Sequence, residues 1–173
     1  IKDFFPSVSS GMVYGMFRRR GASQVIARVL TRMVTRQGHL PQGAPTSPCV
    51  ATLVLNPAVA NIESALKSIG THALSVYVDD AAISGPVGLK RIKGTIVSIL
   101  NRHGFRVHPD KICVMPREVD QEVLGLVVNR GLQVSPSFHA KYKQAVSKLG
   151  PSHPTVKGMR NFADSVVKVR KTA

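Results

Sequence analysis

The chain has 173 residues, 43% of them hydrophobic, and a formal charge of +15 from twenty-four Lys and Arg against nine Asp and Glu. Apolar content of this order at this length excludes wholesale disorder and supports one domain with a core, with room for a small appended subdomain. The charge calls for a polyanionic partner, nucleic acid first and an acidic membrane surface second; no uninterrupted apolar stretch of spanning length is evident, and a soluble, cytoplasmic protein is expected.

In chain order, Ile1-Lys2-Asp3-Phe4-Phe5-Pro6-Ser7 reads as the end of a strand whose beginning is missing. Ser7 or Ser9 can cap a following helix, and a helical period runs through Val25, Ile26, Val29, Leu30 and Met33. Between Phe4 and Asn61 there is no acid, while Arg18, Arg19, Arg20, Arg28, Arg32 and Arg36 accumulate. That asymmetry suits a phosphate-facing surface, although Arg on a helix also simply solubilises it.

Residues 38–48 are dense in Pro and Gly, which forbids regular structure and leaves backbone groups free to meet something else. Ser47 as N-cap and Pro48 at the first helical position predict a mostly buried helix over 49–69, kinked or broken near Pro57 and ended by Gly70. A loop feeding a helix N-terminus suits an anion or a nucleotide; a plain connector is the alternative.

The run Ser75-Val76-Tyr77-Val78-Asp79-Asp80-Ala81-Ala82-Ile83-Ser84 predicts a strand, a tight turn and a second strand. Two adjacent acids in an otherwise uncharged run of an acid-poor chain repel each other unless a cation or hydrogen bonds offset them. Mg²⁺ is the natural offset, since it is held by one or two carboxylates with substrate phosphates completing its shell. The competing reading is that Asp79 and Asp80 are turn residues, because Asp favours turns and successive strand residues point to opposite faces.

Leu89, Ile92, Ile96 and Ile99 then mark an amphipathic helix ended by Gly104. Residues 105–108 and 112–115 read as short strands around Pro109-Asp110-Lys111, and 123–128 with 132–134 read as strands flanking a turn at 129–131. The order predicts an α+β domain, an antiparallel sheet with helices on one face. Ser135-Pro136 starts a helix presenting Phe138, Tyr142, Ala145 and Leu149, stopped at Gly150-Pro151, and Val156, Met159, Phe162, Val166 and Val169 continue a helical period. Lys141, Lys143, Lys148, Lys157, Arg160 and Lys168 make this tail basic, which fits a helical subdomain clasping nucleic acid or two helices with solvated Lys faces. Cys49 and Cys113 form neither a zinc cluster nor a disulfide framework and are expected to be packed thiols.

Taken together, these stretches resemble the reverse transcriptases, most closely the bacterial kind of retrons and group II intron-like elements. Residues 1–7 look like the family's first palm motif, Leu-Pro-Gln-Gly-Ala-Pro-Thr-Ser-Pro at 40–48 like the second, and Tyr-Val-Asp-Asp at 77–80 like its YxDD box. Gly-Phe at 104–105 with Lys111, and Leu-Gly-Leu-Val-Val-Asn at 124–129, resemble two later palm motifs. The likeness is colinear over residues 1–129. It implies a palm domain over 1–134 and a helical, thumb-like subdomain over 135–173, in an RNA-directed DNA polymerase that joins nucleotides with two Mg²⁺ ions, Mn²⁺ being the alternative metal. The implied partners are an RNA template, a DNA or RNA primer and dNTPs, with no membrane. The resemblance makes Asp79 the direct metal ligand with Asp80 supporting it, Phe5 the ring under the incoming sugar, Gln42 a contact to the incoming nucleotide, the backbone of Asp3 and Phe4 neighbours of its triphosphate, and Lys111 the proton donor to pyrophosphate. In the family an acid bridging both metals precedes the Ile-Lys pair, and basic fingers precede that; Asp3 does not occupy the acid's position. The expectation is a piece of a longer polymerase, inactive alone. The rival readings are a non-catalytic nucleic-acid-binding module with a polymerase-like shape, and an RNA-dependent RNA polymerase, against which Phe5 and the 40–48 loop argue.

Overall fold

The structure, a computed structural model, describes residues 1–70, 72–85 and 89–172 and leaves the side chains of Leu89, Lys90 and 170–172 undescribed. The chain is α+β and divides into two compact units, Ile1–Cys113 and Val114–Ala173. The sequence placed its change of character at 134/135; the units part earlier because the strands after Val114 pack with the helices that follow them.

In the first unit, α1 (Phe4–Ser7) and α2 (Ser10–Arg19) lead into α3 (Gln24–Val34). Residues 1–7 are thus not a strand end: Pro6 cannot donate to a ladder, and the segment winds into one helical turn whose Ser7 amide donates to Asp3 C=O at 2.8 Å. Ser9 is the N-cap of α2, accepting from Met12 N, and Ser23 caps α3 through Ile26 N. The helical period in α3 is as expected, but most of its bulky residues do not face the core; Leu30 is half-buried and Val34 packs against the core. Ala27 and Thr31 are buried, while Val25, Ile26, Val29 and Met33 are exposed.

The centre of this unit is α4 (Ser47–Lys67), with Val50, Ala51, Val54, Leu55, Ala58, Ile62 and Leu66 buried along one stripe. Pro57 lies inside it, yet the helix runs through unbroken. A mid-helix proline costs about 3 kcal/mol, whereas each large apolar side chain buried beyond it returns about 1.5–3 kcal/mol, and Ile62 and Leu66 already exceed that cost. Among the described residues α4 is the one helix long and apolar enough to cross a membrane by length and composition, with mean hydropathy 1.4, contrary to the expectation of no such stretch. In this fold its apolar stripe forms the core.

After α4 come β1 (Ala73–Tyr77) and β2 (Asp80–Ser84), an antiparallel pair in which Tyr77 faces Asp80. Leu74, Val76 and Ile83 lean on the helical core. Helix α5 (Leu89–Arg102) buries Ile92 and Ile99 against the same core and ends as foreseen at Gly104, φ 83°. There the Phe105 amide donates to Leu100 C=O and the Gly104 amide to Asn101 C=O, the paired bonds of a Schellman cap, which turns the chain so that Phe105 is fully buried. The expected strands at 105–108 and 112–115 are not formed. Pro109–Lys111 is a 3-10 turn with extended residues on either side, which lack a ladder partner.

The second unit is a meander, β3 (Glu122–Val123), β4 (Leu126–Val127) and β5 (Gln133–Val134), followed by α6 (Pro136–Leu149) and α7 (Pro154–Thr172). The expected single strand over 123–128 folds back on itself, since Leu124 and Gly125 sit at φ 50° and 81° in a two-residue turn. Both residues at positive φ is the pattern of the tight hairpin turn whose twist suits its strands. Asn129 fastens the preceding loop: Oδ1 accepts from Gln121 N at 2.9 Å, and Nδ2 donates to Arg117 O and Val119 O at 3.1 and 2.7 Å. Ser135 caps α6 as predicted, its hydroxyl accepting from Phe138 N. Phe138 and Phe162 join α6 to α7 with ring centroids 5.2 Å apart, and Val127, Val156 and Val166 are buried. Cys49 and Cys113 are both exposed rather than packed.

Candidate active site

Four of the sequence-predicted stretches meet around the first turn of the chain, and hydrogen bonds carry the assembly. The backbone N of Ile1 donates to Asp79 C=O at 2.9 Å, tying residues 1–7 to the β1–β2 turn. Lys2 N donates to Arg106 C=O at 2.8 Å, which brings in the segment leading to Lys111. Leu40 N donates to Val8 C=O and Ser10 N to Gly38 C=O, at 3.1 and 2.7 Å, so the Pro- and Gly-rich loop flanks the same turn. Phe4 is buried between Phe5 and Phe105, with ring centroids 5.5 and 5.9 Å away.

The two acids occupy the hairpin tip. Val78 and Asp79 are its two loop residues and Asp80 is the first residue of β2. Asp79 is half-buried and Asp80 exposed. Val78 adopts φ 55°, a region costing a β-branched residue roughly 1–2 kcal/mol. Its side chain packs against the core and helps hold that conformation. Among the described residues no cation pairs with either carboxylate, and no group of three or more His, Cys, Asp or Glu is assembled. The hairpin tip presents two hard oxygen donors, Asp79 and Asp80. That donor set fits Mg²⁺ with its other positions taken by water or phosphate oxygens, not a closed protein cage.

Comparison with known proteins decides the family. Residues 12–146 match the sequence profile described as reverse transcriptase (RNA-dependent DNA polymerase). The chain belongs to the reverse transcriptase family. It is 31% identical over 132 residues to the retron Ec86 reverse transcriptase of Escherichia coli, covering 75% of this chain and 41% of that protein. It is 27% identical over an alignment of 206 positions to the retron Mx162 reverse transcriptase of Myxococcus xanthus, covering 94% and 42% of the two chains. The retron Mx65 reverse transcriptase of the same organism shows 29% identity over 155 residues, 78% and 36% of the two. The chain thus spans about two fifths of the length of these curated relatives. The likeness to bacterial retron reverse transcriptases is borne out, and the profile match contains the 40–48 loop, the YxDD box and the 124–129 motif, but begins after residues 1–7.

Within this reverse transcriptase domain the predicted residues fall into two groups. Asp79 is joined to the first motif by a direct backbone bond, and Phe4 and Phe5 lie in that motif beside the core. Gln42 and Lys111 are exposed on a loop and a 3-10 turn, without a hydrogen bond to the hairpin. Asp3 is exposed, at φ 46° and ψ 50° at the start of α1. Three features escaped the sequence. Ser47, expected as the N-cap, is the first residue of α4; Thr46 is the cap, and Ser47 is fully buried with its hydroxyl donating to Pro41 C=O at 2.6 Å, closing the loop that carries Gln42. Val78 supplies the left-handed turn, and Arg106 anchors Lys2 through its carbonyl. A buried serine next to a proline-rich loop is the one signal that a pattern reading could have used.

Proposed function

We propose that this chain is the palm and thumb-like portion of a cytoplasmic, retron-type reverse transcriptase that copies an RNA template into DNA by metal-assisted nucleotidyl transfer. The observation carrying the proposal is the tip of the β1–β2 hairpin: adjacent carboxylates with no described cation partner, bonded through Asp79 to the first motif, in a chain of this family. Asp79 would hold a Mg²⁺ ion directly and Asp80 would support it. When bound, such ions neutralise phosphate charge and align the attacking 3′ oxygen with the leaving pyrophosphate. The chain's own residues do the positioning. Phe5, half-exposed and braced by Phe4, sits under the deoxyribose and excludes a 2′-hydroxyl; Gln42 contacts the incoming nucleotide; the backbone of Asp3 and Phe4 lies near its triphosphate; Lys111 donates a proton to the departing pyrophosphate. The two-fifths coverage of the curated relatives supports a contribution to a longer enzyme, with the chain inactive alone.

The test is primer extension on an RNA template with a DNA or RNA primer, Mg²⁺ and dNTPs, using the complete polypeptide that carries this chain, beside its Asp79→Ala/Asp80→Ala variant. Extension that vanishes in the variant is the expected outcome. Absent extension, together with salt-sensitive RNA binding indifferent to those substitutions, would replace the proposal with a nucleic-acid-binding module. The specific observation favouring that second reading is that no group of three or more His, Cys, Asp or Glu is assembled among the described residues.

A further inference from the structure

The second unit holds a cavity of its own, between α6 and α7, with a volume of about 210 Å³ and open to solvent. Phe138, His139 and Tyr142 of α6 and Arg160, Ala163 and Asp164 of α7 line it. One wall is therefore three rings, and the other carries a guanidinium and a carboxylate one helical turn apart. Phe138 is braced by its neighbours, with ring centroids 5.2 Å from Phe162 and 6.5 Å from His139. Drug-sized ligands fill about 300–1,000 Å³, so this cavity admits a single ring system and little more.

Asp164 is the only acid between Ser135 and Ala173, against eight Lys and Arg. Lys157, Arg160, Asp164 and Lys168 follow one another at steps of three and four residues along one face of α7. An Arg and an Asp four apart on a helix are placed to pair, yet among the described residues neither Arg160 nor Asp164 is in an ion pair. On a surface that attracts polyanions, an acid repels the phosphates that its neighbours draw in. Its place in the cavity is accounted for when the group that enters carries hydrogen-bond donors instead of negative charge.

We propose that this cavity binds one unpaired guanine of a single-stranded RNA, stacked on the α6 rings, with its flanking phosphates drawn to Lys157 and Lys168. The Watson–Crick edge of guanine presents an acceptor followed by two donors, and Arg160 beside Asp164 presents the matching donor and two acceptors. Adenine, cytosine and uracil each set an acceptor against that carboxylate. A segment of the same polypeptide would have to meet Asp164 with a cation, adding one more positive charge beside Lys157, Arg160 and Lys168; an apolar segment would leave Asp164 unpaired in the contact. One nucleotide supplies the flat ring, the paired donors and the flanking negative charge together. The inference rests on the reading of RNA as this chain's partner, and it uses no residue of the hairpin, the 40–48 loop or the first motif.

The experiment titrates the complete polypeptide that carries this chain into labelled single-stranded RNA, a uridine tract with one central guanosine, beside tracts with adenosine, inosine or uridine at that place, without metal or dNTPs. The guanosine tract is expected to bind roughly tenfold or more tighter than the adenosine and uridine tracts, with inosine, which lacks the 2-amino donor, between them. Asp164→Asn, at an exposed position, turns one acceptor into a donor and should move the preference from guanosine to adenosine. Tyr142→Ala, with the fold intact by circular dichroism, should weaken every tract by roughly fivefold or more and leave their order unchanged. Equal affinity for the guanosine and adenosine tracts, or a guanosine preference that survives Asp164→Asn, overturns the proposal. So does RNA binding indifferent to both substitutions, which would show the cavity covered by the rest of the polypeptide. Primer extension run in parallel separates the two readings: no guanosine preference beside intact extension sinks this site alone, and a guanosine preference without extension sinks the polymerase alone.

Discussion

Replacing Ser47 by Ala tests how the 40–48 loop is held. Ser47 is fully buried, and its hydroxyl is a 2.6 Å donor to Pro41 C=O. Ser and Ala differ by one oxygen, so a cavity term is negligible and the cost is that of the bond. A hydrogen bond of this kind contributes about 1 kcal/mol net, and an acceptor left unpaired away from water costs about 1–3 kcal/mol. Pro41 is only half-buried, so water reaches part of its carbonyl and the lower part of that range applies. The expected loss is about 1.5 kcal/mol, or roughly 0.7 M in the urea midpoint at a slope of about 2 kcal/mol per M. Urea unfolding measures that shift, and amide exchange locates it: protection should fall first at 42–44, beside Gln42. On the proposed role of Gln42 as a nucleotide contact, the same variant in the complete polypeptide should raise the dNTP KM more than it lowers kcat, since the loop is loosened and the carboxylates are left alone. A midpoint unchanged within about 0.2 M, with unaltered exchange in the loop, would refute the reasoning and make Ser47 a packing residue.

Three further outcomes follow from the geometry. Pro57→Ala should stabilise the chain by about 1–2 kcal/mol in denaturant unfolding, because it restores a donor for Leu53 C=O in a helix that is already continuous; destabilisation would show that the proline ring packs better than it disrupts. Asn129→Ala should cost about 1–2 kcal/mol and expose 115–121 to proteolysis, since three backbone groups lose their partner at once, although the loop is exposed enough for water to compensate in part; an unchanged cleavage pattern would contradict this. Phe5→Ala in the complete polymerase should reduce discrimination against ribonucleotides roughly tenfold or more, read as the ratio of kcat/KM for dNTP and NTP; an unchanged ratio would remove Phe5 from the sugar-contacting role.

How far the chain could be read in advance depended on whether local chemistry or tertiary packing decided each element. The β1–β2 hairpin was legible because alternating Leu74 and Val76 face the core and a pair of acids breaks the run where a turn is needed. Ser135, Gly104 and Gly150 marked helix ends correctly, since a cap is a local hydrogen-bonding device. Pro57 does not break α4, because its penalty is local whereas the burial that outweighs it comes from the whole core. α3 was found by period, which left its inward side open: period reveals that bulky residues share a side, and only the partner helix decides which side turns inward. The left-handed turns at Val78 and Leu124 were invisible for the converse reason. Neither residue type favours positive φ, and each is held there by its strands. In the candidate site, motif order named the residues to look for, while the bonds that join their segments, Ile1 to Asp79 and Ser47 to Pro41, depend on chain paths that no spacing encodes.

Cys49 lies in the first turn of the helix that follows the Gln42 loop, and both it and Cys113 are solvent-facing and unbridged. A solvent-facing thiol is open to oxidation and to thiol–disulfide exchange. In air, purified protein will accumulate covalently linked dimers that mimic genuine association, so sizing must be done under reductant or on the Cys49→Ser/Cys113→Ser pair. The same reactivity is useful once controlled. With Cys113 replaced by Ser, a maleimide dye on Cys49 stands a few residues from Gln42, and its emission tests the proposed arrival of nucleotide at the loop optically, without waiting for a product to form.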